Sequence, residues 1–384
     1  MNTQNTPIHM RLWHRDFWLV AVANLLLSTT VMMLIPMLPK WMLYTDGLTT
    51  EETGVAMAAF ALGLFLPGAF CSYLIQRYRR NQVCVWAMLL LGLTVLPPLY
   101  VHHISYSVVV AMRIAQGFAF SLAQMVLMST LIIDTCESNQ RTEANHSVTW
   151  FGRFAFSLGP LVALFVNHMI GFQMVLLVAG GCCVVAAMLV LTVHIPFRTP
   201  DDNVSIISFD RFLLTSGWPL MITLMVISSS IGLLLSLPLT MEFYALLMVG
   251  FLLALLAQRF VFPDAELKSE VVTGLILLIA AQLIMLFAPS SPLCSPLLGL
   301  GLGLVGARFL LFFIKLSRHC QRGTAQSTYL LGWESGLSLG VGVGYYAFSN
   351  SHVDLLHVSL SLSVTAFLVY VFVLHNWFVA HKNR

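Results

Sequence analysis

Long apolar stretches alternate with short polar ones along the whole chain. A membrane-spanning helix needs about 20 mostly apolar residues at 1.5 Å each. By that measure the chain divides into twelve segments, at 17–41, 53–76, 82–101, 105–132, 146–168, 172–195, 213–238, 241–262, 270–288, 292–316, 324–348 and 354–379. The alternating pattern of about 10 residues that marks barrel strands is not visible. The pattern therefore predicts an all-α integral membrane protein with twelve transmembrane helices.

The composition agrees with this prediction. Of the 384 residues, 58% are apolar and only 9% are charged, whereas a soluble domain carries about 25% charged residues. This excludes a soluble enzyme, a disordered chain and a nucleic-acid binder. The seven cysteines are odd in number and mostly lie in apolar runs, so they are expected to be small core residues. The first apolar run, about 25 residues long, fits a span better than a cleavable signal.

The distribution of lysine and arginine predicts the topology. Of the nineteen, fifteen fall in loops and tails on one side, Lys40 alone falls on the other, and Arg113, Arg153 and Arg308 lie inside spans. Short cytoplasmic loops carry the excess of positive charge. We therefore expect both termini in the cytoplasm and a monomeric, multi-pass protein of the cell (inner) membrane.

The chain also divides into two similar halves. The longest polar insertion near the middle runs over 198–211 and separates six spans from six. We therefore expect an N-terminal six-helix bundle over 1–197, a cytoplasmic linker over 198–211 and a C-terminal six-helix bundle over 212–384.

Particular residues repeat between these halves. A shift of 181 positions brings Arg141 onto Arg322, Arg153 onto Glu334, and 157–159 onto 338–340, both Ser-Leu-Gly. More loosely, 28–30 (Ser-Thr-Thr) and 228–230 (Ser-Ser-Ser) both precede a proline. Internal repeats of this kind are typical of transporters, which bind their solute near the bilayer midplane between the halves.

Several motifs resemble those of the major facilitator superfamily. Residues 113–117 (Arg-Ile-Ala-Gln-Gly) are similar to its R-x-x-Q-G signature. Residues 72–80 resemble its G-x-L-x-D-R-x-G-R loop, with Ser72 and Gln76 in place of Gly and Asp. Gly159-Pro160 partly matches the end of its antiporter motif. The resemblance implies two pseudo-symmetric six-helix bundles that transport by alternating access, with Arg77, Arg79 and Arg80 as a gating loop.

Four ionisable side chains inside spans are the candidate functional groups: Arg113, Arg153, Arg308 and Glu334. Each costs about 2.5–3.5 kcal/mol at the bilayer centre if it faces lipid, or roughly 10–14 kcal/mol together. They are therefore expected to line a water-filled cavity, to pair with one another, or both.

Depth along the helices suggests one pair. Arg308 lies seven residues before Lys315, about 10 Å into its helix from the cytoplasmic end. Glu334, twelve residues after Arg322, lies at a similar depth on the next helix. We expect an Arg308–Glu334 ion pair, which is either a fixed bridge in the C-terminal half or part of coupling and substrate binding.

Other polar residues complete the candidate binding set. Gln116 and Gln124 share a helix face with Arg113, and this face is expected to line the cavity. The alternative for Arg113 is a structural hydrogen-bond hub. Asn24 lines the cavity or joins helices, and Trp333 contacts the substrate or packs. The candidate substrate-binding residues are thus Asn24, Arg113, Gln116, Gln124, Arg153, Arg308 and Trp333. A row of glycines at 332, 336, 340 and 344 serves contact between the halves or simple tight packing.

The charges suggest the solute and the driving ion. Three arginines against one glutamate leave a surplus near +2, which favours an anion that the guanidinium fork can hold. Glu334 is the only acidic residue expected deep within a span. Because a buried carboxylate can gain and lose a proton, Glu334 is the candidate for proton coupling.

The energy source is expected to be a gradient. None of the four lysines follows a glycine, so no phosphate-binding loop of ATPases is present, and neither a zinc motif nor a cofactor motif is apparent. We expect a secondary transporter that exports a small anionic or amphipathic compound in exchange for protons. The alternatives are a proton-coupled uptake carrier for an organic anion and a membrane protein that uses the fold without transport.

Overall fold

The computed structural model describes residues 12–101, 103–137, 140–194, 205–208, 212–262, 266–318 and 321–382, and these form helices joined by short loops. Twelve helical segments follow one another in this part of the chain: α1 Arg15–Tyr44, α2 Thr50–Phe65 continued by Gly68–Arg77, α3 Arg80–Tyr100, α4 Tyr106–Asp134, α5 Arg141–Met169, α6 Phe172–Thr192, α7 Thr215–Leu235, α8 Met241–Phe260, α9 Leu267–Phe287, α10 Cys294–Leu316, α11 Arg322–Ala347 and α12 His352–His381.

Each predicted segment coincides with one of these helices to within a few residues. Among the described helices, ten are long and apolar enough to cross a membrane, and the two arms of α2 make an eleventh. The remaining one, α11, is rich in Gly, Ser and Thr, which lowers its hydropathy. The count of twelve crossings and the cytoplasmic termini stay predictions.

Local sequence signals explain where α2 begins and why it bends. The Thr49 side chain accepts a hydrogen bond from the Glu52 backbone while the Glu52 carboxylate accepts one from the Thr49 backbone, which forms a capping box. The two arms of α2 meet at Pro67 with a bend of 46°. Proline lacks the N–H that would continue the helical ladder, and the Gly63 carbonyl accepts from Leu66 instead, at 3.2 Å.

Packing between helices repeats from one half of the chain to the other. In the first half α1 packs on α5 and α6, α2 on α4, and α3 on α4 and α6. In the second half α7 packs on α11 and α12, α8 on α10, and α9 on α10 and α12. Every contact of the first set becomes one of the second when six is added to both helix numbers, as expected of two six-helix bundles. The linker predicted over 198–211 lies outside the described residues except for 205–208, so the domain bounds stay predictions.

The two sequence echoes meet in these contacts. Gly159 of α5 lies against Thr29 and Met32 of α1, and Gly340 of α11 lies against Ser229 of α7 in the same way. The whole glycine row of α11 faces α7, so it packs within its own half rather than between halves. Small residues allow such close approach of helix backbones.

The most extensive contacts between the halves are those of α2 with α11 and of α5 with α8. Gly342 of α11 lies against Gly54 and Ala58 of α2 so closely that a Cβ at position 342 would come within 2.6 Å of the Ala58 Cβ. Ser157 of α5 donates a hydrogen bond to the Tyr244 carbonyl of α8. Both contacts lie far from the end of the bundle that carries Arg15, Arg77, Arg141 and Arg322, which we call the basic end.

Candidate functional site

A cavity lies between the halves, midway along the helices. The cavity is narrow in this state, and its empty volume is about 510 Å³ when the space open to solvent is included. Helices of both halves form its wall. The lining residues are Asn24, Ser28 and Met32 of α1, Gln124 and Met128 of α4, Thr149, Gly152, Arg153 and Phe156 of α5, Phe251 of α8, Leu302 of α10, and Tyr329, Leu330, Trp333 and Glu334 of α11.

Arg153 is the arginine of this wall. Its guanidinium stacks on the Trp150 ring with 4.7 Å to the ring centroid, and its Nη2 donates to the Tyr329 hydroxyl at 3.4 Å. The Nε and Nη1 atoms are buried and have no hydrogen-bond partner among the described residues. Because a guanidinium has five donors in a planar fork, Arg153 retains donors for an oxyanion.

Glu334 lies on the same wall and is 6% exposed. Within the part of the chain that the structure describes, its carboxylate forms neither a salt bridge nor a hydrogen bond. It also lines a small adjoining pocket of about 220 Å³ together with Gln124, Ser121 and Ser327. A carboxylate in such a place can gain or lose a proton without breaking an ion pair.

The predicted pair of Arg308 with Glu334 is wrong. The Arg308 Nε atom instead donates to the Glu270 carboxylate in the first turn of α9, and Glu270 also accepts from the Gln258 amide at 2.6 Å. Arg308 and Glu334 share a depth but face different helices. Glu270 is fully buried, so Glu334 is not alone among buried acidic residues.

This pairing changes the charge of the cavity. Arg308 pairs with Glu270 outside the lining, and Arg113 does not reach the cavity. Among the described residues the wall therefore carries one arginine and one carboxyl group. The predicted surplus near +2 is therefore wrong. The charge that a solute meets depends instead on whether Glu334 holds a proton.

Arg113 and Gln116 form a separate buried cluster within the first half. The Arg113 Nη1 atom donates to the Gln116 side chain at 2.7 Å, and the Gln116 amide donates to the Thr94 carbonyl of α3 at 2.9 Å. The guanidinium lies over the Phe60 ring of α2, 4.7 Å from its centroid. Of the polar face predicted on α4, Gln124 lines the cavity and Arg113 and Gln116 do not. Their geometry is that of the structural hub.

Comparison with known proteins identifies the family. The sequence model of the Major Facilitator Superfamily matches residues 20–341. The chain belongs to the major facilitator superfamily. No curated protein sequence matches the chain.

Two solved structures of superfamily transporters share the fold. A mutant of the nucleoside transporter NupG aligns over 93% of this chain and 99% of its own, with a TM-score of 0.64 and 14% identity. The human organic anion transporter MFSD10 (TETRAN) aligns over 92% and 98%, with a TM-score of 0.66 and 14% identity. At this identity the likeness concerns the fold alone. Together with the family model, it confirms the resemblance, and the chain is a multi-pass membrane protein of a solute-transporter family.

The superfamily loop between α2 and α3 retains an ion pair despite its substitutions. Arg80 forms a salt bridge of 2.5 Å with Asp134 at the end of α4. Gln76, at the position of the motif's aspartate, donates to the Ser72 hydroxyl at 2.8 Å. Arg77 ends α2 and Arg79 precedes α3, both at the basic end, and the gating role of this loop stays a prediction.

Sequence reasoning missed several residues of the candidate site. Tyr329, which contacts Arg153, gave no signal because a tyrosine in a span is ordinary. Phe156 and Phe251 were equally unremarkable, yet their rings meet at 6.2 Å, and the Trp333 ring lies 6.1 Å from Phe156. These three rings come from α5, α8 and α11, so only the folded structure brings them together.

Proposed function

We propose that the protein is a proton-coupled symporter of a small amphipathic organic anion. Arg153 binds the anionic group, and Glu334 carries the proton. The observation that supports this best is that Arg153 and Glu334 line one cavity between the halves while neither has a salt bridge among the described residues.

The electrostatics of this pair favour cotransport. When Glu334 is ionised, its negative charge repels a bound anion and offsets the positive charge of Arg153. Protonation of Glu334 removes both effects. Proton and anion therefore strengthen each other's binding, as symport requires, whereas an exchanger needs the two to compete.

The rest of the wall fits the apolar part of the solute. Trp333, Phe156 and Phe251 form an aromatic side, and Met32 and Met128 supply flexible side chains that adapt to shape. The Asn24 amide donates to the Val148 carbonyl at 3.1 Å, and its side-chain oxygen has no hydrogen-bond partner in the described part of the chain. Ligand sites of this kind are mostly apolar with a few convergent polar groups.

Because the predicted charge surplus is absent from the cavity, we favour proton-coupled uptake of an anion over the export that the sequence suggested. Proton-driven export would suit a neutral or cationic amphipath that competes with the proton for Glu334. For an anion, we propose uptake together with protons that enter the cell. In this orientation the basic end of the bundle faces the cytoplasm. If the protein used the fold without transport, a bound solute would stay on the side of the membrane from which it came.

Flux into proteoliposomes tests the proposal. The probe is fluorescent naphthalenesulfonate, which stays ionised and does not follow a pH gradient by itself. We expect uptake when the outside is acidic and the inside alkaline. Uptake under the reverse gradient would instead support export by exchange, and uptake that ignores the gradient would reject coupling.

Two matched variants accompany this assay. Glu334→Gln removes the proposed proton site, so uptake should no longer respond to the gradient. Glu242→Gln changes a carboxylate in the exposed first turn of α8 and should behave as the wild type. Naphthalenesulfonate bound without being carried would indicate the non-transporting alternative.

A further inference from the structure

A band of polar side chains runs between α5 and α11, from the cavity to the basic end. We call this band the polar seam. It consists of Thr142, Asn145, Thr149 and Arg153 of α5 and of Arg322, Gln326 and Tyr329 of α11. Its inner end opens on the cavity, because Thr149, Arg153 and Tyr329 also belong to the lining.

Direct contacts close the seam to a solute. The Arg322 guanidinium donates to the Thr142 hydroxyl at 3.4 Å, and the Gln326 amide donates to the Thr149 hydroxyl at 3.0 Å. Nearby, a Cβ added to Gly323 of α11 would lie 2.8 Å from the Ser129 carbonyl oxygen of α4. The two halves therefore touch along the whole seam, and a solute cannot pass without their separation.

The same seam contains buried polar atoms without partners. Both side-chain atoms of Asn145 lack a hydrogen bond with any described residue, and so does the Gln326 side-chain oxygen. Asn145 is 1% exposed and Gln326 is fully buried. At the inner end, two guanidinium nitrogens of Arg153 lack partners as well.

Such a row of orphan groups is a site for water. An unsatisfied buried polar group costs about 1–3 kcal/mol, and a buried water typically makes about three hydrogen bonds to groups of this kind. The orphan atoms occur at successive levels of the seam, between direct contacts. Water molecules that satisfy them would form a chain from the basic end to the cavity.

We propose that bound water in the polar seam carries protons between Glu334 and the basic end while the seam is closed to solute. This rests on the proposed function of Glu334. At each water one O–H bond forms and another breaks, so every water is regenerated. The net result is that a proton taken from the solvent at the basic end is transferred to the Glu334 carboxylate. The other ionisable groups along this path, among the described residues, are Arg153 and Tyr329 of the cavity wall and Arg322 at the basic end of the seam. His146 follows Asn145 on α5.

Infrared spectroscopy of the full-length protein in lipid bilayers tests the proposal without a solute. Glu334→Gln assigns the carboxyl C=O band of Glu334, and the rate of its change is followed after a jump in pH. We expect the double variant Asn145→Leu, Gln326→Leu to slow this change by about tenfold or more, equivalent to at least about 1.4 kcal/mol of barrier. An unchanged rate overturns the proposal.

Further variants separate damage from a blocked path. Asn145→Ser, Gln326→Ser keeps polar groups and should keep the wild-type rate. Thr149→Val preserves side-chain shape, so slowing in this variant supports the seam even if the leucine variant folds poorly, and an unchanged rate counts against it. If the Glu334 band of the wild type ignores pH, the proposed function fails together with the seam; if it responds equally in all variants, only the seam fails.

Discussion

Replacing Glu334 with glutamine should remove the pH dependence of anion binding. The amide keeps the size and polarity of the side chain but can neither gain nor lose a proton. In the wild type, ionisation of Glu334 places a negative charge on the wall of the cavity that holds the anion. The variant should therefore bind an anion at every pH as the wild type does when Glu334 is protonated.

The size of the effect follows from the cavity. Because Arg153 and Glu334 line one narrow cavity, an anion held by Arg153 lies on the order of 10 Å or less from the Glu334 carboxylate. With an effective dielectric constant of about 20, two unit charges at about 10 Å interact by about 1.7 kcal/mol. Deprotonation should thus weaken anion binding about fifteenfold.

Titration calorimetry with naphthalenesulfonate in detergent, at acidic and alkaline pH, measures this difference directly. The probe keeps its charge throughout, so a change in affinity reports the protein alone. Glu242→Gln is the matched control, because it removes an exposed carboxylate of the same type outside the cavity. An affinity of the wild type that rises with pH, or a pH dependence that persists in Glu334→Gln, would refute the reasoning.

Three further predictions concern Arg153, the Glu270–Arg308 pair and Gly342. Arg153→Gln should weaken naphthalenesulfonate binding by about 10- to 150-fold in calorimetry, because a hydrogen bond to a charged group contributes about 1.5–3 kcal/mol; equal affinity would exclude Arg153 from the site. Glu270→Gln should lower the free energy of unfolding by about 3 kcal/mol and hence the Tm, since it leaves Arg308, whose side chain is 18% exposed, without its charge partner; an unchanged Tm would contradict this, and Glu270→Met with Arg308→Met should recover much of the loss. Gly342→Ala should increase the distances between spin labels on α2 and α11. The control Gly332→Ala, where the nearest atom is the flexible Met221 Cγ at 3.0 Å, should leave these distances as in the wild type. Wild-type distances in both variants would show that the Gly342 contact does not hold the halves together.

Hydropathy alone predicted most of the fold, because membrane helices must be long and apolar. It could not predict the bend at Pro67, since a proline within a span does not reveal by itself whether the helix continues. The 181-residue shift was equally informative: it placed Arg153 and Glu334 at matching positions of α5 and α11, and both line the cavity.

The site was less predictable because depth along a helix carries no information on direction. Arg308 and Glu334 have similar depths, but the Arg308 side chain points toward α9, where Glu270 was overlooked at the first residue of a predicted span. Arg113 shares a helix face with Gln124 but lies 11 residues nearer the start of α4, where that face meets α2 and α3 instead of the cavity. The direction in which a side chain points around the helix axis depends on how the helices pack, and this packing involves all twelve helices.

The contact of Gly342 with Gly54 has a kinetic consequence for the opening of that end of the molecule. Glycine has no side chain, so no rotamers must change and none interlock when the two backbones part. The activation barrier to separation at this point therefore consists of lost dispersion contact between smooth surfaces, without a term for side-chain rearrangement. We expect opening there to be fast and only weakly dependent on temperature, compared with separation along faces where large side chains interdigitate.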